Sequence, residues 1–184
     1  VFGEAFDFQL AERKTPAASK TPRVVIENWR GNTRITGADV TDVTVSGRKT
    51  VRSLNNNEAE SANRETPLEI SNEGGSIIIR TNVNRSKGER FISADIEVTV
   101  PKGATIEGRG RQGDFDVTDV MGDVQIDSEN AGVRLQNVGG SVRVETRRSD
   151  VIRAIDVKGN VELKGRGNDV ELENVDGQVT LSGA

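Results

Sequence analysis

The chain has 184 residues, of which 33% are apolar, 29% charged and only 3% aromatic, and its net charge is −4. Histidine and cysteine are absent, which excludes Ser-His-Asp and Cys-His catalysis, disulfides and the usual zinc sites. The basic residues form no block, and no apolar run approaches the roughly 20 residues of a membrane span. A nucleic-acid surface and a membrane-spanning helix are therefore not expected.

The sequence predicts a single domain over residues 1–184, with strands arranged around one polar excursion. Alternation of Phe6, Phe8 and Leu10 predicts a strand that covers the N-terminal end, and residues 11–22 look like a linker. The polar segment shows no period of two and is expected to be a loop or a short helix. The domain divides into the covering strand and linker (1–22), the first rungs (23–51), the polar segment (52–67), further strands (68–104) and the regular repeats (105–184).

The C-terminal part repeats one pattern four times. The copies begin at Phe115, Val133, Ile152 and Val170, so they are spaced by 18, 19 and 18 residues. Each copy reads apolar-x-apolar, then a corner, then apolar-x-apolar, and a period of two predicts a strand with one buried face. Such short strands bury their faces only when the copies stack in register. The predicted fold is therefore all-β, a single-stranded parallel β-solenoid (β-helix) with rungs of about 18 residues.

The stacking predicts which side chains point inward. Two columns of the repeat should be buried together, namely Phe115, Val133, Ile152 and Val170, and Val124, Val142, Val161 and Val179. The final rung should present apolar side chains and unpaired backbone groups. We expect a continuation of the chain to cover this rung, or pairing between molecules, or a segment that folds back over it.

The corners of the repeat carry Asp or Asn, followed three residues later by Gly. Carboxylate and amide groups at a turn bond to nearby backbone N–H groups and stack into ladders, so we interpret this column as structural. An outlying copy at Ile26–Gly37 aligns without a gap on Leu172–Gly183. The predicted ladder consists of Asn28, Asp119, Asn137, Asp156 and Asn174, with Gly31, Gly122, Gly140, Gly159 and Gly177.

The order of these motifs resembles a known family. The early strand pair with its Asn-x-x-Gly corner, the polar excursion, the stretch from Ile96 to Gly103 and the following rungs resemble the bacterial putative-adhesin family. That resemblance implies a β-strand repeat domain of unknown function in an exported or membrane-attached protein. Bactofilins, which are polymerising cytoskeletal β-solenoids, are a weaker resemblance.

Three other motifs favour structural over chemical interpretations. Residues 108–113 match GxGxxG, but a strand pattern follows where a dinucleotide site needs a helix N-terminus. Asp114 and Asp116 could suggest a glycosidase pair, yet their neighbours in the repeat favour cross-rung ion pairs on a solvated face. Trp29 is expected in the core rather than on a sugar-binding surface. We therefore predict no catalytic residue, cofactor or metal site.

The expected function is a non-enzymatic, extracytoplasmic structural or binding module that is adhesin-like. The location follows from the resemblance and from a chain that begins at Val1 rather than Met, which suggests a removed leader. The expected partner is a cell-surface protein or glycan, and not a nucleic acid. The alternatives are a self-assembling scaffold joined end to end, as in bactofilins, and a carbohydrate-active β-helix enzyme.

Overall fold

The structure is a computed structural model that describes residues 3–83 and 91–183. Within these residues there are one α-helix and fourteen β-strands, and the fourteen strands belong to one sheet. In chain order the elements are β1 (Glu4–Pro16), β2 (Arg23–Arg30), β3 (Thr33–Ala38), β4 (Asp42–Ser53), α1 (Asn56–Glu65), β5 (Glu69–Glu73), β6 (Ser76–Arg80), β7 (Ile92–Pro101), β8 (Thr105–Gln112), β9 (Phe115–Val120), β10 (Val124–Asn130), β11 (Val133–Val138), β12 (Val142–Val157), β13 (Val161–Val175) and β14 (Val179–Ser182).

The sequence repeat is visible as parallel pairing between successive rungs, where a rung is one copy of the repeat. Val142 of β12 lies opposite Val124 of β10 on one side and opposite Val161 of β13 on the other. The first half of each rung pairs in the same way, with β9 next to β11 and β11 next to the later part of β12. The spacing in the sequence therefore equals one step across the sheet.

The prediction of a single-stranded parallel β-solenoid is wrong, because the sheet is mixed. Its main path of twelve strands runs β1-β4-β7-β3-β9-β11-β12-β10-β8-β2-β6-β5, and the pairs β1–β4, β4–β7 and β5–β6 are antiparallel. The Arg13 guanidinium donates to the Leu68 carbonyl oxygen at 2.9 Å, which joins the first strand to the residue just before β5. The path therefore nearly closes on itself. Alternation could not reveal this, since parallel and antiparallel strands share a period of two.

The first strand is longer than predicted, and the polar excursion is a helix. Residues 11–16 of the predicted linker are instead the second part of β1, which continues to Pro16 and pairs with β4 along its length, apart from a bulge between Leu10 and Arg13. The polar excursion forms the ten-residue helix α1 after β4 has reached Ser53. The Asn55 side chain caps this helix by accepting the Glu58 backbone N–H at 2.9 Å, which satisfies a donor that the helix leaves unpaired.

Side chains of the stacked strands form an aliphatic core. Six of the eight residues predicted to point inward are at most 4% exposed, from Phe115 in the first rung to Val161 in the third. Val170 and Val179 belong to the final rung and are 46% and 45% exposed. Leu181 in the same rung is 58% exposed. The inward register is thus correct, and the last rung is uncovered within the part of the chain that the structure describes.

The outlying N-terminal copy occupies a different register from the one the sequence suggested. Ile26 lies opposite Gly108 and Asn28 opposite Gly110, on β8. Thr33 lies opposite Phe115 on β9. The gapless alignment would place β2 in the same column as β9, but β2 instead lies beside β8, which is half a rung away. The corner that follows β2 therefore corresponds to the corner at Gly113.

Candidate functional site

Four of the five Asp and Asn residues of the predicted corner ladder are bonded in two pairs. Asp119, Asn137, Asp156 and Asn174 all adopt a left-handed backbone, with φ between 54° and 62°, a conformation that Asn and Asp tolerate better than other residues. The Asn137 amide donates to Asp119 Oδ1 at 2.8 Å, and the Asn174 amide donates to Asp156 Oδ1 at 2.6 Å. These side chains are used in bonding one rung to the next, which is a structural role.

The corner glycines serve close packing between rungs. A Cβ atom on Gly140 would lie 2.6 Å from the Gly122 carbonyl oxygen, and one on Gly177 would lie 2.5 Å from the Gly159 carbonyl oxygen. At these corners the Asp or Asn residue, and not the glycine, adopts the left-handed backbone conformation. Gly31 differs, because it lies at another corner and has φ of 115°.

Asn28 lies apart from the ladder and inside the protein. It is 1% exposed, and its amide donates to the Ala94 carbonyl oxygen at 2.9 Å and to Thr33 Oγ1 at 3.0 Å. Its Oδ1 accepts from the Thr81 hydroxyl at 3.1 Å. These bonds connect β2 to β7 and to the residue after β6, so Asn28 satisfies buried polar groups. Trp29, next in the chain, is half-buried and packs against the core.

The GxGxxG segment lies on β8 and its next neighbour Gly113, and strand β9 follows. Gly108 and Gly110 point inward beneath the Phe115 ring, where a Cβ on either would lie 2.9 Å or 3.0 Å from a ring carbon. The first two glycines of the motif therefore make room for the one large aromatic side chain of the repeat region.

The two aspartates considered as a glycosidase pair are held by Arg134. Its Nη1 lies 3.6 Å from Asp114 Oδ2 and 3.8 Å from Asp116 Oδ1. Asp114 Oδ1 also accepts the Gly132 backbone N–H at 3.0 Å. Among the described residues no cluster of three or more carboxylates has the geometry to hold a metal ion.

A charged network covers the outer side of β2, β6 and β8. Glu107 accepts from Arg109 Nη2 at 2.7 Å and is also paired with Arg23. Burial raises the pKa of Glu107, but the hydrogen bonds and charges of Arg109 and Arg23 outweigh that effect and hold the pKa below its usual range. Arg80 similarly pairs with Glu27 at 3.1 Å. Opposite charges neutralise each other here, so this network stabilises the sheet face and leaves little charge for a ligand.

A second charged feature is a groove of about 710 Å³, which lies where the chain turns from one rung into the next. Its walls come from β8, β10, β12 and β13 and from the corners that follow the first two. The lining residues are Gln112, Gly113, Asp114, Asn130, Ala131, Gly132, Arg148, Ser149, Asp150 and Arg166. Five of these ten are exposed polar residues, and Ala131, Gly132 and Ser149 form the buried floor.

One column of side chains crosses this groove, and we call it the arginine column. Arg30 lies opposite Gln112, which lies opposite Asn130, and Asn130 lies opposite Arg148, which lies opposite Arg166. The sequence analysis missed this column because it followed the apolar positions. The signal was present, since the last four members are spaced by 18 residues each.

The most unusual buried charge is Lys49 on β4. It is 2% exposed, and its ammonium donates to the Thr66 carbonyl oxygen, to Thr66 Oγ1 at 3.1 Å and to the Asn63 carbonyl oxygen at 3.2 Å. Burial lowers the pKa of Lys49 to about 8. These acceptors belong to the C-terminal end of α1 and the residue after it, so Lys49 fixes the helix against the sheet.

Comparison with family models finds no matching family, and comparison with curated proteins finds no matching sequence. Several solved structures are similar. A putative cell adhesion protein from Clostridium sporogenes is 9% identical, over 95% of this chain and 100% of its own, with a TM-score of 0.47. A putative adhesin from Bacteroides fragilis is 12% identical over 95% and 97%, with a TM-score of 0.35. A putative lipid binding protein from Parabacteroides distasonis is 9% identical over 95% and 96%, with a TM-score of 0.27.

Two of these three names agree with the resemblance found in the sequence. Because the TM-scores are below 0.5, the similarities carry no argument about what this chain binds. In the described residues, no helix is long and apolar enough to cross a membrane. A functional proposal for this chain therefore rests on its own groove and surfaces.

Proposed function

We propose that the protein is a non-enzymatic, adhesin-like binding module that holds its ligand in the corner groove. The observation that carries this proposal is the groove itself, an open volume of about 710 Å³ lined by polar side chains from successive rungs. Ligand sites are generally concave, with a few polar groups that fix orientation. The residues of the groove stand on paired strands, so the backbone positions from which its polar side chains extend are fixed before a ligand arrives.

The aspartates nearest the groove support a binding role over hydrolysis. A glycosidase needs one carboxyl free to act as an acid and another as a base or nucleophile. Asp114 is instead bonded to the Gly132 amide, and both Asp114 and Asp116 lie beside Arg134. An extracytoplasmic location is part of the proposal and is supported by the resemblance of the residue pattern to exported adhesin-like domains.

The test is binding of the purified protein to a panel of neutral and charged glycans, compared with an Asn130→Trp variant. Asn130 is exposed and lines the groove, so a bulky ring there should fill the groove without disturbing the core. We expect the wild-type protein to bind at least one glycan class and the variant to lose that binding. Absence of any binding, or binding that the variant retains, would refute the groove as the site. Fractionation of cells that express the full natural protein tests the location.

A second function, self-association, is favoured by the uncovered last rung. Val170, Val179 and Leu181 are exposed there, and β14 pairs with β13 on one side only. An unpaired strand with apolar side chains is a template for another strand. Sedimentation velocity over a range of concentrations tests this function, because self-association predicts a sedimentation coefficient that increases with concentration.

A further inference from the structure

We infer that the ligand of the groove is a linear acidic glycan, whose carboxylate or sulfate groups bind along the arginine column. This inference rests on the proposed function, since it names the ligand class for the same site. Three of the five members are arginines and the other two are amides, so every member can donate hydrogen bonds. No member carries a carboxylate.

Other charged columns of the sheet are balanced, which makes the arginine column distinct. One column runs through Asp116, Arg134, Arg153 and Glu171, so that each arginine has an acidic neighbour. Another column combines acidic and basic residues in the order Glu27, Arg109, Asp127, Glu145 and Lys164. In both columns the protein supplies its own counter-charges.

The arginine column has no such internal neutralisation at its far end. Arg148 and Arg166 lie directly opposite each other on adjacent parallel strands, about 4.8 Å apart along the sheet. Neither has an ion pair or a side-chain hydrogen bond with any residue whose side chain the structure describes. Like charges opposite each other are unfavourable, and an anion placed between them would remove that repulsion.

Among the described side chains, no acidic group forms an ion pair with this end of the column. Asp114 and Asp150 line the same groove, and Glu129 lies beside Arg147 and Arg148 in an adjoining cleft. Asp114 is engaged by Arg134 and by the Gly132 amide. No ion pair between Glu129 and Arg147 is present among the described side chains. The groove therefore keeps a cationic end, at Arg148 and Arg166, that is open to solvent.

The geometry of the column selects the kind of anion. A guanidinium binds carboxylate and sulfate-like groups with two parallel hydrogen bonds. Five positions at strand spacing extend over about 19 Å, which suits an extended polymer with repeated negative groups better than a single small anion. Single-stranded nucleic acid is usually held by aromatic side chains that stack on its bases. The groove lining has no aromatic residue, and so an acidic glycan is favoured.

The experiment measures binding of polygalacturonate and of heparin by isothermal titration calorimetry, at low and at physiological salt. The test variant is Arg148→Gln/Arg166→Gln. The control is Arg143→Gln/Arg153→Gln, which removes the same charge from exposed residues that are ion-paired with Glu162 and Glu171. We expect the test variant to bind at least about tenfold more weakly, and the control to stay within about twofold of wild type. The salt dependence should also be shallower in the test variant.

Two further measurements distinguish an acidic ligand from other causes of weaker binding. Arg148→Lys/Arg166→Lys retains the charge but loses the paired hydrogen bonds, so its affinity should fall between those of wild type and the Gln variant. Equal weakening in the test and control variants would overturn the inference, since it would indicate non-specific charge attraction. Binding of a neutral glycan that Asn130→Trp abolishes and the Gln variant retains would uphold the proposed function and refute the acidic ligand. Tighter binding of an oligothymidylate than of either glycan would also refute it.

Discussion

The stacking of valines across the rungs gives a prediction with a built-in control. Val142 and Val179 occupy the same inward column, with Val161 between them. Val142 is 2% exposed, whereas Val179 in the last rung is 45% exposed. Replacing each with Asp makes the same chemical change at two depths of one column, so any difference in the free energy of unfolding reports burial alone.

The expected cost at Val142 is large. Losing the buried valine side chain removes about 2 kcal/mol of hydrophobic stabilisation. The new carboxyl would have no partner among aliphatic layers, so it must become protonated, and at pH 7 that costs about 4 kcal/mol for a group with an ordinary pKa near 3.9. The total of about 6 kcal/mol is comparable to the whole stability of many domains. Val142→Asp should therefore be largely unfolded or strongly destabilised.

The same change at Val179 should cost about 1 kcal/mol or less, because its carboxylate stays hydrated and little apolar area is lost. Urea titrations followed by circular dichroism, supported by thermal melts, measure both variants. A similar loss of stability in the two variants would refute the reasoning. Such a result would mean that the last rung is covered in solution, and a dependence of the Val179→Asp effect on protein concentration would identify another copy as the cover.

Three further predictions concern buried or stacked polar groups. The pKa of Lys49 is lowered from 10.5 to about 8 by burial, so between these values the folded state binds fewer protons than the unfolded state. The cost of burying the ammonium is thus fully present below pH 8, and the free energy of unfolding should increase by about 3 kcal/mol as pH rises toward 10.5. Urea titrations should show this increase in wild type and not in Lys49→Met. An equal change with pH in the two proteins would contradict the prediction. Thr146 is 4% exposed and its hydroxyl has no hydrogen-bond partner within the described part of the chain. Thr146→Val should therefore leave the free energy of unfolding unchanged or increase it by up to about 2 kcal/mol, which thermal melts would measure. A clear loss of stability would show that the hydroxyl is satisfied. Asn137→Asp should replace the bond to Asp119 with repulsion between two carboxylates and cost about 1–2 kcal/mol at pH 7. The loss should shrink at high salt, which screens exposed charges, and a salt-independent loss would exclude repulsion as its cause.

The groove and its arginine column show how far a repeat can be followed from sequence. Gln112, Asn130, Arg148 and Arg166 recur every 18 residues, so their stacking was available in principle from the spacing alone. Arg30 belongs to the column only through the pairing of β2 with β8. That pairing could not be inferred, because the N-terminal copy fits the repeat almost equally well half a rung away.

The sequence by itself determined the strands of residues 105–183, their inward columns and the Asp/Asn ladder, because a repeated period of two leaves only one face that can be buried. It could not determine the direction of β1 and β4, since alternation is the same in parallel and antiparallel pairs. The tertiary structure decided that β4 runs antiparallel to both β1 and β7, and that Lys49 lies buried beneath the end of α1. Both outcomes depend on contacts between segments distant in the chain, and no local pattern of residues encodes them.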